Sequence, residues 1–136
     1  MLVRPLSMLT FLVGEVAYPV ARRQADTLLG DSDRILAPGG ALTVVSCPGH
    51  TPGHVAYYRE QDGLLFSGDA ILNIIPVRRV TGLSLPIRML SDNWTQTKRS
   101  AQLLARLRPQ TLLSGHGWPL TQDLAARLAA WADGLG

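Results

Sequence analysis

The segment CPGHTPGH, residues 47–54, sets His50 and His54 on either side of a Thr-Pro-Gly turn, directly after the apolar run ALTVVS. A third histidine, His116, stands in LLSGHGWP, and an aspartate, Asp69, stands in FSGDA. His50, Asp69 and His116 each follow an apolar, strand-like run and lie beside glycine. Glycine lets the backbone turn sharply there, so that the side chain projects from a sheet edge. Three strand ends along one edge can meet at a point. Imidazole and carboxylate together form the ligand set of zinc and other borderline cations, and a catalytic zinc takes three protein ligands while keeping one position open for water. Such a cation lowers the pKa of its water from about 15.7 to about 7, which makes hydroxide available at neutral pH and points to hydrolysis. Taken singly, a histidine beside glycine reads as a turn residue and a Gly-Asp as a turn or helix cap. The three together at strand ends are harder to explain that way.

The elements that must position these groups can be traced along the chain. ALTVVSC (41–47), HVAYYRE (54–60) and GLLFSGD (63–69) read as strands joined by Pro-Gly and Gln-Asp-Gly turns, an antiparallel meander entered through a turn at APGG (37–40). Residues 71–90 are apolar but broken by Pro76, Gly82 and Pro86, which predicts a partly buried connection lying over a site or a partner surface. A helix is expected over 92–107, capped by Ser91 and ended by Pro109, with Trp94, Thr97, Ala101, Leu104 and Ala105 on one face. QTLLSG (110–115) reads as a short buried strand, and a last helix over 121–132 turns Leu124, Leu128 and Trp131 inward. Earlier in the chain, residues 6–17 read as a buried helix or strand segment, and ARRQADTLLG (21–30) as a short helix stopped at Gly30. Strands followed by helix, strand and helix predict helices packed on a sheet, an α+β arrangement.

Composition narrows the function classes. A chain of 136 residues fits one domain, and 46% hydrophobic with 17% charged residues describes a globular protein and excludes a disordered one. The net charge of +3 comes from arginines set singly or in pairs, without the clustered cations that a nucleic-acid face needs, so no nucleic-acid partner is expected. The apolar run 6–14 is too short to span a bilayer and is followed by Glu15, so no membrane partner is expected either. Cys47 is the single cysteine, which excludes an intrachain disulfide, reads as a small buried thiol, and leaves a cytoplasmic location as the expectation.

PGHTPGHVAYY, LLFSGDAI and LLSGHGWPL, in that order, resemble the third, fourth and fifth metal motifs of the metallo-β-lactamase superfamily, specifically its glyoxalase-II-like hydrolases. The resembling region covers about residues 35–132. The resemblance implies that His50 binds a first zinc, that Asp69 bridges two zincs and orients the nucleophile, and that His116 binds the second. His54 and Thr51 are then supporting groups that keep the ligand loop in one orientation. It also implies a metal-bound hydroxide that attacks a thioester, ester or lactone, on zinc or alternatively iron or manganese. The implied fold is half of a four-layer αββα sandwich, a mostly antiparallel sheet with helices on one outer face. The family's His-x-His-x-Asp-His cluster is absent from these 136 residues, whose histidines number three. By the family pattern two protein ligands remain at each metal position, or three around one open site. The expectation is therefore a single domain over 1–136, truncated on its N-terminal side, acting on a small-molecule substrate. A non-catalytic half-domain with weak metal binding is the alternative. In either case a second copy or the missing half would cover an exposed sheet face, and Arg78 or Arg79 is a candidate anchor for an anionic substrate, against a reading as solvated arginines.

Overall fold

The computed structural model describes residues 25–75 and 80–136. The expectations for residues 6–17 and for Arg78 and Arg79 fall outside these residues. Five strands form one sheet: β1 (Arg34–Ala37), β2 (Gly40–Ser46), β3 (Val55–Arg59), β4 (Leu64–Gly68) and β5 (Thr111–Ser114), in that spatial order. The first four pair antiparallel, as a meander with tight turns requires, and β5 lies parallel to β4. A parallel neighbour cannot be reached by a hairpin, so the chain between β4 and β5 has to cross over, and helix α1 (Trp94–Arg106) forms part of that crossover. A second helix, α2 (Leu124–Asp133), follows β5.

Alternation along the strands sorts the sheet into two faces. Val45 pairs with Ala56, and Tyr58 with Leu65, which pairs in turn with Leu112. This row faces the helices, and Ala56, Leu65 and Leu112 pack with Ala101, Leu104, Leu124 and Leu128 in one buried core. The other face carries Val44, Tyr57, Phe66 and Leu113 in register across β2 to β5. Val44 is buried there and the other three are half-buried, so the face expected to be exposed is only partly so.

Several local expectations are corrected. Residues 25–30 are not helical, and β1, which the sequence did not suggest, pairs with β2 instead. The turn between them keeps the APGG prediction, with Gly39 and Gly40 at φ of +87° and +128°. Helix α1 is capped by Asn93, whose side chain accepts the Gln96 N–H at 3.0 Å, rather than by Ser91. Asn93 wins because it sits one residue before the first helical turn, where a side-chain oxygen reaches the free N–H groups. Among the described residues, no helix is long and apolar enough to cross a membrane.

Candidate metal centre

Each of the three strand-end loops is fixed by its own hydrogen bonds. The loop from β2 to β3 is bolted to the start of α1: Asn93 N–H donates to Gly49 O at 2.9 Å, Asp92 N–H to His50 O at 3.2 Å, and the Ser100 hydroxyl to Pro48 O at 2.6 Å. Gly49, at φ +131°, lies so close to the Thr97 backbone that a Cβ would overlap it. Within the turn, the Thr51 carbonyl accepts Gly49 N–H at 3.0 Å. Thr51 thus supports the turn through its backbone, and its side chain is exposed.

Asp69 follows β4 in a tight knot around Ser67. The buried Ser67 hydroxyl donates to Ile71 O at 2.8 Å, and the Ser67 carbonyl accepts Ala70 N–H at 3.1 Å. His54 Nε2 lies 3.2 Å from that same carbonyl, and since a carbonyl only accepts, Nε2 carries the proton. His54 therefore clamps the start of β3 to the end of β4 and does not line the cleft described below. The loop after β5 is tied back by Gly115 N–H, which donates to Gly68 O at 2.8 Å; a Cβ on Gly115 would overlap Asp69 Oδ1.

Together the loops bring His50, Asp69 and His116 around one cleft of about 240 Å³, whose remaining walls are Leu72, Pro86, Ile87 and Leu90. A larger groove of about 430 Å³ between α1 and α2 is walled largely by alanines and holds no comparable cluster. His50 Nε2 and His116 Nε2 each lie 3.6 Å from the same atom, Asp69 Oδ2. His50 Nδ1 is 3.4 Å from the Ser91 hydroxyl, which donates to Ile87 O at 3.3 Å. His50 is thus held through Nδ1 with Nε2 facing Asp69. At 3.6 Å neither imidazole makes a direct hydrogen bond to the carboxylate. Ligand atoms at about 2.0–2.2 Å from a tetrahedral cation are about 3.3–3.6 Å apart, so the observed spacing suits a shared cation. Among the described residues, no three His, Cys, Asp or Glu side chains surround one metal position. The donors instead form two pairs, His50 with Asp69 and Asp69 with His116. Both pairs share one carboxylate oxygen, Asp69 Oδ2.

Cys47, three residues before His50, takes no part. It does not line the cleft, and burial pushes its thiol up to about 12, so it stays protonated at neutral pH. Sequence reasoning missed Ser91 as a partner of His50 and Asn73 as a partner of the His116 loop. Ser91 reads from sequence as a helix cap; Asn73 carried a signal, being the one polar residue in the run ILNII.

The sequence profile of the metallo-beta-lactamase superfamily matches residues 3–116. The chain belongs to that superfamily. The match begins well before residue 35, so the region without metal motifs is part of it. A hydroxyacylglutathione hydrolase of Bdellovibrio bacteriovorus is 35% identical over 89 residues, 65% of this chain and 32% of the relative. A hydroxyacylglutathione hydrolase of Yersinia pestis (strain Pestoides F) is 32% identical over 93 residues, 68% of this chain and 32% of the relative. Among solved structures, the metallo-beta-lactamase family protein TTHA1429 of Thermus thermophilus superposes with a TM-score of 0.60 at 21% identity, covering 96% of this chain and 46% of that one. TTHA1623, crystallised in a di-iron-bound form, superposes with a TM-score of 0.60 at 24% identity, covering 93% of this chain and 62% of that one. The superfamily chain thus spans about a third of the length of these curated relatives.

Proposed function

We propose that this superfamily chain serves the metal-dependent hydrolysis of a thioester, ester or lactone, with His50 and Asp69 holding one divalent cation and Asp69 and His116 a second. The observation that carries the reading is the single carboxylate oxygen at 3.6 Å from two imidazole nitrogens. Zinc suits the mixed donors, and iron or manganese suits them too. A cation there supplies Lewis acidity and a water acidic enough to serve as nucleophile at neutral pH. The chain's own residues do the rest. Asp69, 30% exposed, reaches the cleft with room left by Gly115, and its carboxylate would hold the cations and orient the attacking water. Leu72, Pro86, Ile87 and Leu90 seat the acyl part of a small-molecule substrate and exclude bulk water from it. The thioester preference draws on the two hydroxyacylglutathione hydrolases.

One observation favours a second reading: among the described residues each cation position has two donors, fewer than the three of a catalytic zinc site. On that reading the chain is a half-domain that binds metal weakly without turnover, and a second copy or further polypeptide covers the Val44–Tyr57–Phe66–Leu113 face. Equilibrium dialysis with Zn²⁺, followed by assay with an acyl thioester, separates the two. The catalytic reading predicts bound zinc and hydrolysis, both reduced at least tenfold by His50→Ala and by His116→Ala. Bound zinc without hydrolysis supports the half-domain, and zinc binding unaffected by either substitution defeats both.

A further inference from the structure

Asn73 is 2% exposed, and no step above uses it. Its backbone N–H donates to His116 O at 3.1 Å, and its side-chain Nδ2 donates to Trp118 O at 2.7 Å. One residue therefore holds the carbonyls on both sides of Gly117, with which it also forms a parallel bridge. Gly117 has φ of +105°, and a Cβ on it would overlap the Asn73 backbone, so the two segments touch as closely as backbones can. The Ser114 hydroxyl adds a second bond to His116 O at 2.8 Å. These contacts leave the Asn73 carbonyl oxygen, Oδ1, buried without a partner among the described residues. A buried, unmatched acceptor lowers stability, which offsets part of what the Nδ2 bond to Trp118 O contributes. What the amide adds beyond an apolar side chain is its hold on the loop.

We infer that Asn73 is the positioning residue that fixes His116 relative to Asp69, an inference that rests on reading His116 as a ligand. Asp69 stands four residues before Asn73, and the intervening Ala70, Ile71 and Leu72 are all buried. This short stretch acts as a ruler: one end carries the carboxylate, the other grips the loop that carries the imidazole. With the Nδ2 grip removed, the loop relaxes and the spacing between Nε2 and Oδ2 is no longer set.

The test compares Asn73→Leu with Asn73→Ala in the full chain. The readouts are the melting temperature without metal, the Co²⁺ dissociation constant, and the His116 ring resonances in metal-free NMR spectra. The leucine chain, which keeps the packing volume, is expected to melt close to wild type and the alanine chain clearly lower. Both should bind Co²⁺ about tenfold more weakly and show shifted or broadened His116 resonances. Wild-type Co²⁺ affinity and an unchanged His116 signal in the leucine chain overturn the inference. So does a leucine chain that fails to fold, since the residue is then structural. If His116→Ala leaves Co²⁺ affinity unchanged, the ligand reading itself falls. The ring resonances then decide alone whether Asn73 positions His116.

Discussion

At the scale of the residue, what sets the site apart from other exposed polar groups is which ring nitrogen is committed to what. His50 is held through Nδ1 by Ser91, leaving Nε2 to face Asp69, while His54 spends Nε2 on the Ser67 carbonyl and does not line the cleft. Two histidines of one turn thus have different tasks, although nothing in their types distinguishes them. His50, Asp69 and His116 were legible as a group because each follows an apolar run and touches glycine. Ser91 and Asn73 were not, because their partners lie 41 and 45 residues away in sequence and only the fold brings them together. Cys47 gives a prediction at this scale. Its folded thiol, raised from 9.0 to about 12, keeps its proton longer than the unfolded one. The resulting stabilisation is fully present below pH 9.0 and is lost as pH rises toward about 12. Folded chain should resist a thiol reagent at pH 9 and react only when denatured; rapid labelling of the native chain would contradict the buried assignment.

At the scale of the element, the loops reach the site because glycines stand at or just past the strand ends: Gly49 after β2, Gly68 at the end of β4 and Gly115 after β5. Gly68 is at φ +52°, and Gly115 leaves space that the Asp69 carboxylate fills. Gly115→Ala should therefore leave the sheet intact and displace Asp69. Unchanged far-ultraviolet circular dichroism with zinc affinity reduced at least tenfold is the expected result, and undiminished affinity would mean that the carboxylate sits elsewhere. The meander β2–β3–β4 was readable from period-two alternation between turn signals. β1 was not, being four residues long with Leu36 left 94% exposed, so neither length nor alternation announced it. Its place depends on pairing with β2, a tertiary fact.

At the scale of the whole molecule, the helix-covered side of the sheet is a finished core, whereas on the other side Val44 is buried and Tyr57, Phe66 and Leu113 are half-buried. The α+β class and the helices on one face followed from element order. What lies over the second face did not, because a strand residue reads as apolar whether its own chain or another covers it. If a second copy covers it, sedimentation of the purified chain gives a dimer mass, and Phe66→Lys returns a monomer. A wild-type monomer with unchanged solubility would argue against self-association. The account as a whole depends on Asp69 serving two imidazoles through one cation-binding carboxylate. Calorimetric titration of the chain with Zn²⁺, beside the isosteric Asp69→Asn, tests this most directly. Binding in the wild type that weakens at least tenfold in the folded asparagine variant is the predicted result; equal binding by the two chains would contradict it.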